Sequence, residues 1–298
     1  MNQNTKNIIP DSELIIREGG RVYHLDVALE DIANTIITVG DPSRVSEVSK
    51  HFDKITYTGQ HREFITHTGT IGNKQLSVIS TGIGPDNIDI VWNELDAVVN
   101  IDLKTRLIKE KKTQLNIIRL GTCGGLQPSI PVDSIVVSAY GLGLDNLMHF
   151  YKYENTPTEA AILDAFNKHT NVNSKNIIPY LFHGSDALLA YFKEEFVTGI
   201  TATCPGFYGP QGRILRMKTA VDNLPETLSS FKNGDLRIVN FEMETSAMYG
   251  LSHLLGHNSL SISTVVANRT NKTFSTEGNK AVNNMIKKCL EIIVTKIA

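Results

Sequence analysis

Apolar runs rich in β-branched residues recur along this chain, closed by glycine, proline or polar residues and followed by stretches of helical spacing. The first is Thr35-Ile36-Ile37-Thr38-Val39, which predicts a buried strand ending in Gly40-Asp41-Pro42-Ser43-Arg44, with a helix over 45–51. Segments 61–65 and 74–79 predict a hairpin turning at Gly72-Asn73, and the second of them feeds Ser80-Thr81-Gly82-Ile83-Gly84-Pro85. Ile90, Val91, Leu95, Val98, Val99 and Leu103 then keep helical spacing from Asn87 to about residue 107. The central run is Ile117-Ile118-Arg119-Leu120-Gly121-Thr122-Cys123-Gly124-Gly125, whose glycines predict a turn at the strand end. Three strands ending in glycine-rich turns describe an α/β layered domain with its strand ends on one side, where ligands of open α/β sheets collect.

Further along, the pattern predicts strands over 133–138, 176–181, 197–202 and 260–267, a loop over 141–145 and a turn at 268–270. Helices are expected over 158–169, 245–255 and 277–297. Segment 204–213 follows neither period and is expected to be a loop. Residues 1 to about 20 are polar and punctuated by Pro10 and Gly19-Gly20, which suits a mobile arm or a surface hairpin, before a short ordered Val22-Tyr23-His24-Leu25.

With 298 residues and 41% hydrophobic content, the chain can bury one large core or two modest ones. The net charge of −2 gives no basic footprint for nucleic acid. No apolar run approaches the roughly 20 residues of a membrane helix, and the polar N-terminus lacks a signal-peptide pattern, so a soluble protein with no membrane partner is expected. Cys123, Cys204 and Cys289 form no CxxC pair and leave one odd, against a disulfide framework or a zinc site, and a reducing cytoplasm fits. Lys109-Glu110-Lys111-Lys112 suits a solvated helix end.

Several residues carry candidate chemistry. Arg119 sits in a run that excludes water, where an unpaired charge costs several kcal/mol, so either a bound anion or a nearby carboxylate must partner it. Arg44 after Asp41-Pro42-Ser43 either faces solvent at a helix start or faces phosphate. Neither a dinucleotide fingerprint nor a P-loop spacing occurs. Phe207, Tyr208, Gln211 and Arg213 in the irregular loop form a composition suited to a flat polar ring, with an ordinary surface loop as the alternative. Glu242-Met243-Glu244 offers either paired carboxylates for acid/base work or acids at a helix N-terminus.

Gly40-Asp41-Pro42 with Arg44, His61-Arg62-Glu63-Phe64, Ser80-Thr81-Gly82-Ile83-Gly84, Arg119-Leu120-Gly121-Thr122 and Glu242-Met243-Glu244, in this order, resemble the nucleoside phosphorylase family. Phe207-Tyr208 with Gln211-Gly212-Arg213 is similar to its uridine phosphorylase branch. The resemblance spans residue 22 to the C-terminus, leaving 1–21 as an N-terminal arm and 22–298 as the nucleoside phosphorylase domain. It implies a single-domain, three-layer α/β fold with a mixed central β-sheet flanked by helices. It also implies a homo-oligomer, a dimer or a trimer of dimers, with shared active sites.

The resemblance further implies roles. Gly40, Arg44, Arg119 and Thr122 would hold phosphate, joined by Arg62 from a neighbouring subunit. Glu244 would bind ribose hydroxyls with Met243 packed on the sugar, and His24 of the neighbour would meet the 5′-hydroxyl. Phe207, Gln211 and Arg213 would hold the base. Arg119, Arg213 and Glu244 are then the catalytic candidates, with no cofactor and inorganic phosphate as co-substrate. The uridine branch often carries Gly-Pro-Ser after the Gly-Ile-Gly turn, where the serine helps hold a monovalent cation, potassium, at the dimer interface. Here Pro85-Asp86-Asn87 stands there, while Glu63 is retained. The expected reaction is phosphorolysis of a pyrimidine nucleoside, with purine nucleoside phosphorolysis or hydrolysis on the same fold, and a non-catalytic nucleoside-binding module, as rivals.

Overall fold

The structure, a computed structural model, describes residues 8–297. These form two compact units, 8–82 with 90–115 and 83–89 with 116–297.

In the first unit Thr35–Val39 (β1) is buried at every position, as its unbroken pattern predicts. Ser43–Ser49 (α1), Lys54–His61 (β2), Phe64–Ile71 (β3) and Lys74–Ser80 (β4) follow, in the sheet order β1-β4-β3-β2. β1 and β4 run parallel, and the other pairs antiparallel. β2 is mostly exposed, and its polar character hid it from the hydrophobic pattern. Pro85–Asn100 (α2), from Ile90 onward in this unit, buries Val91, Trp92, Leu95, Val98 and Val99. It ends at Asn100, short of the expected residue 107, because the Asn100 side chain accepts from Thr113 N–H at 2.7 Å and donates to the Thr113 carbonyl at 3.2 Å. Ile101–Asp102 (β5) and Leu107–Ile108 (β6) then pair as a small hairpin. The Lys109–Lys112 cluster therefore lies in the loop after β6, not at a helix end, and Lys109 Nζ donates to the Val99 carbonyl at 2.9 Å.

Residues 1–7 of the expected arm lie outside the described residues. Within the rest of it, Ile9 N–H donates to the Arg106 carbonyl at 3.0 Å. Arg106 in turn donates to the Leu14 carbonyl at 2.6 Å and pairs with Asp11 at 2.6 Å. An antiparallel bridge between Ile16 and Val22 closes over Gly19-Gly20, which is hairpin geometry.

The second unit carries Asn116–Gly125 (β7), Ile135–Gly143 (β8), Pro157–His169 (α3), Tyr180–His183 (β9), Asp186–Phe192 (α4), Val197–Thr203 (β10) and Leu224–Ser230 (α5). Lys232–Asn233 (β11), Leu236–Glu242 (β12), Thr245–Leu255 (α6), Asn258–Asn268 (β13), Thr273–Phe274 (β14) and Gly278–Lys296 (α7) complete it. The sheet order is β11-β12-β10-β8-β13-β7, with β9 on β8 and β14 on β13. It is mixed as expected: β12, β10 and β8 are parallel neighbours, β8 meets β13 antiparallel, and β13 runs parallel to β7. β12 also pairs with β7 through Asn240↔Gly125 and Phe241↔Gly124, so β7, β13, β8, β10 and β12 close into a ring.

That closure corrects the expected turn at 121–125. The glycines belong to β7, not to a turn before a helix. They serve close approach: a Cβ on Gly124 would meet the Phe241 ring at 2.6 Å. Gly141 to Gly143 likewise continue β8 where a loop was expected. Leu142, Ile200 and Phe241 of the ring strands pack with Phe166 and Phe231 in one core, each large side chain contributing about 1.5–3 kcal/mol of burial. α3 starts on a reciprocal cap, in which Glu159 accepts from Thr156 N–H at 2.8 Å and Thr156 Oγ1 accepts from Glu159 N–H at 3.3 Å.

Candidate active site

β7 carries Arg119 into the interior of the second unit, and β12 ends there in Glu242. Both carboxylates of Glu242-Met243-Glu244 are buried, but they do different things. Glu242 caps α6: its oxygens accept from Glu244 N–H at 2.9 Å, Thr245 N–H at 3.0 and 3.1 Å, and the Thr203 hydroxyl at 2.8 Å. Both acids stand at the helix N-terminus as expected, Glu244 in the N-cap position itself, but of the two only the Glu242 side chain caps it. Glu244 turns the other way and accepts from Gly84 N–H at 3.0 Å, Met243 N–H at 3.3 Å and the Arg119 guanidinium. Arg119 also lies 3.5 Å from Glu242.

Of the two partners open to Arg119 in the sequence, the structure shows the carboxylate. Burial alone would lower the Arg119 pKa, but the charges of Glu244 and Glu242 outweigh it and raise it. Glu242 is pushed up to about 7, first by burial and then by the charge of Glu244, with Arg119 opposing. Arg119 Nε is buried without a hydrogen-bond partner among the described residues, leaving one charge-assisted donor unused in a water-poor place. The guanidinium folds back along its own strand face over Gly121, where a Cβ would stand 2.0 Å from Nη1. Thr122 follows on β7, half-buried, and Met243 is half-buried between the two glutamates.

The loop after β10 is irregular as expected, tightened by a short 3-10 turn at Gly209–Gln211. Arg213 organises it. Its guanidinium donates to Gln211 Oε1 at 2.6 Å and to the Phe207 carbonyl at 2.5 Å, and it stacks 3.6 Å from the Phe207 ring centre. Burial, and then the charge of Arg269, lower the Arg213 pKa to about 10. Gln211 is buried while the Phe207 ring is half exposed, which gives a polar edge beside an open aromatic face. Sequence reasoning missed Arg269, which donates to the Gln211 carbonyl at 3.0 Å and the Gly212 carbonyl at 3.4 Å. More than fifty positions separate it from this loop, so no local pattern could have revealed it.

Gly40, Arg44, Arg62, Glu63 and His24 belong to the first unit. Gly40 follows β1, where a Cβ would meet the Gly82 carbonyl at 3.3 Å, and Arg44 lies half-buried in the first turn of α1. Arg62 and Glu63 form the exposed turn between β2 and β3, Arg62 with φ +52° and its guanidinium 5.8 Å from the Tyr23 ring centre. His24 is half-buried against Glu94, Nδ1 to Oε1 at 2.7 Å.

Residues 34–298 match the model of the phosphorylase superfamily. A uridine phosphorylase of Thermococcus kodakarensis is 26% identical over 283 residues, covering 93% of this chain and 88% of its own. A DeoD-type purine nucleoside phosphorylase of Buchnera aphidicola is also 26% identical, over 274 residues, covering 91% and 98%. The crystal structure of a Trypanosoma brucei nucleoside phosphorylase, described as showing uridine phosphorylase activity, superposes with a TM-score of 0.86 at 31% identity, over 95% of this chain and 99% of that one. A match over nearly the whole chain, on a mixed sheet carrying the arginine and the paired glutamates that the resemblance singled out, places this protein in the phosphorylase superfamily.

Proposed function

We propose that this protein cleaves the N-glycosidic bond of a pyrimidine nucleoside, uridine foremost, with inorganic phosphate, giving the free base and ribose 1-phosphate. The observation that carries this reading is the division of labour in the second unit. Arg119 is held by Glu244 with a donor to spare, and Gln211 and Arg213 are paired beside the open face of Phe207. In such a reaction C1′ gains positive charge while negative charge moves onto the base. Phosphate held by arginine attacks the sugar, Glu244 aligns the ribose hydroxyls with Met243 against the ring, and Arg213 with Gln211 takes up charge on the departing base. No side-chain nucleophile is required, and burial pushes the Cys123 thiol up to about 12, away from nucleophilic form.

Gly40, Arg44, Arg62 and Thr122 join the phosphate contacts, and His24 the 5′-hydroxyl, on the strength of the family resemblance. The same reading has a homo-oligomer in which Arg62 and His24 serve a neighbouring subunit, with Glu63 as the residue near which a potassium ion would be sought, in the cytoplasm of the cell.

A nucleoside panel assayed with and without phosphate tests the proposal. Uridine turnover that requires phosphate is expected. Base release without phosphate would replace the reading by hydrolysis, and binding of uridine and phosphate without turnover would replace it by a binding module.

A further inference from the structure

Glu94 is a buried carboxylate on α2 that the proposed chemistry does not use. One short segment fills its oxygens: His24 N–H donates to them at 2.9 and 3.0 Å, Leu25 N–H at 2.8 Å, and His24 Nδ1 lies 2.7 Å from Oε1. A carboxylate that is already taking two backbone donors is an acceptor, so the ring proton of neutral His24 resides on Nδ1 and Nε2 keeps its lone pair. The ring is fixed from other sides as well. Tyr23 meets it edge-on at 4.8 Å and Phe64 at 6.4 Å between ring centres, and His61 Nδ1 donates to the His24 carbonyl at 3.0 Å. Yet 27% of the His24 side-chain surface stays accessible, so the imidazole is oriented without being sealed.

We infer that Glu94 is a positioning residue that selects the Nδ1–H tautomer of His24, making Nε2 an acceptor for a hydroxyl proton and directing the site to nucleosides with a free 5′-hydroxyl. The inference rests on the phosphorylase reading and on the place of His24 at the 5′ end of the sugar. A lone-pair acceptor pairs with a 5′-O–H and has nothing to offer a 5′-methyl group or a 5′-ether. One such hydrogen bond at a partly exposed ring supports discrimination of about tenfold.

The test is the ratio of kcat/KM for uridine over 5′-deoxyuridine. About tenfold is expected in the wild-type protein, and His24→Ala and Glu94→Gln should each bring the ratio near one, mainly through the KM for uridine. The Glu94→Gln change sets an amide N–H₂ against donors that the carboxylate now accepts, so the ring loses its anchor; the double variant should lose nothing more. Glu94→Gln keeping the wild-type ratio would overturn the positioning role, and a wild-type ratio near one would overturn the 5′ assignment. The nitrogen chemical shifts of the His24 ring in the wild-type protein decide the tautomer without any turnover, and a proton found on Nε2 would also overturn the inference. A wild-type protein inert toward all nucleosides with phosphate would instead remove the functional reading and the 5′-hydroxyl role with it, leaving the tautomer readable by itself.

Discussion

Arg119 and Glu244 hold each other inside the second unit, guanidinium against carboxylate, with only 6% and 5% of their side-chain surfaces exposed. A buried ion pair of this kind is weak evidence for stability, because the desolvation cost offsets the attraction. Breaking it from one side is another matter. Arg119→Ala should leave Glu242 and Glu244 as uncompensated buried acids, costing about 3–5 kcal/mol, and should lower phosphorolysis by about 10²–10³. Arg119→Lys keeps the charge while losing the planar fork, so it should hold most of the stability and still lose most of the rate. Urea unfolding and turnover at saturating phosphate, measured on both variants, separate the two effects; near-normal turnover in both would remove Arg119 from the mechanism.

Gly121 faces the same guanidinium. A Cβ there would stand 2.0 Å from Nη1 and 2.6 Å from Cζ of Arg119, so alanine must push the side chain off its carboxylates. Gly121→Ala should therefore reproduce much of the Arg119→Ala loss without touching a charge, chiefly as a raised KM for phosphate. A variant with wild-type phosphate kinetics would show that Arg119 works in another rotamer.

The sequence disclosed those parts of the fold whose reason is local. The helix expected over 245–255 is α6 itself, and the buried run at 35–39 is β1, because unbroken apolar spacing needs no distant partner. What stayed hidden depends on residues far along the chain. The glycines of β7 read as a turn, although they make room for Arg119 and for the Phe241 ring. α2 stops at Asn100 because of Thr113, thirteen residues on, and β2 alternates between exposed and half-buried with no buried position to mark it. In the site, Arg119 and Glu244 could be named from chain order, but the assignment of Glu242 to capping α6 appears only once Thr203 and Thr245 are seen around it.

A third prediction concerns pH. Burial alone would raise the Glu159 pKa, but hydrogen bonds from the His183 ring, Thr156 N–H and His183 N–H bring it from 4.5 down to about 2. The same contact raises the His183 pKa from 6.5, against burial. The depressed acid contributes stability above its unfolded pKa of 4.5, lost as pH falls toward 2. The raised histidine contributes below 6.5, and that share is lost as pH rises through its folded value. The melting-temperature gap between wild type and Glu159→Gln should therefore be widest between these two ordinary pKa values and shrink on either side. Thermal melts across the range check it, and a gap independent of pH would mean that the cap of α3, not the ion pair, sets the effect.

A fourth prediction addresses the shared site. If Arg62 and His24 complete the active site of a neighbour, an inactive Arg119→Ala protein mixed with an inactive Arg62→Ala protein should regain activity once subunits exchange. Each mixed dimer can then hold one site with both defects and one with neither. Recovery is followed by uridine turnover alongside a mass measurement of exchange, and no recovery after complete exchange would reject the sharing.

Base choice is the last. The purine branch of the family commonly places an aspartate in the turn after the late strand, where it can protonate N7; here the residue is Asn268. The structure removes even its hydrogen-bonding option. Asn268 is buried, its amide N–H₂ donates to the carbonyls of Gln127 at 2.9 Å and Ile130 at 2.7 Å, and its oxygen accepts from Asn271 N–H at 2.8 Å. It holds the end of β13 in place and has no donor left for a purine. Gln211 and Arg213, by contrast, present an amide and a guanidinium together, which suits the N3–H and carbonyl oxygens of uracil. Against a purine edge the donors that these two side chains do not spend on each other or on the Phe207 carbonyl would be left unsatisfied, at about 1–3 kcal/mol each. Uridine should therefore exceed inosine and adenosine in kcat/KM by at least one to two orders of magnitude, about the worth of one such group. Cytidine should be poor as well, since its N3 lacks the proton. Gln211→Ala and Arg213→Ala should each narrow the gap between uridine and inosine, and Asn268→Asp should fail to create purine activity, because a carboxylate cannot donate to the two carbonyls and would be buried against them. Comparable kcat/KM for inosine and uridine in the unmodified protein would overturn the pyrimidine assignment while leaving phosphorolysis intact.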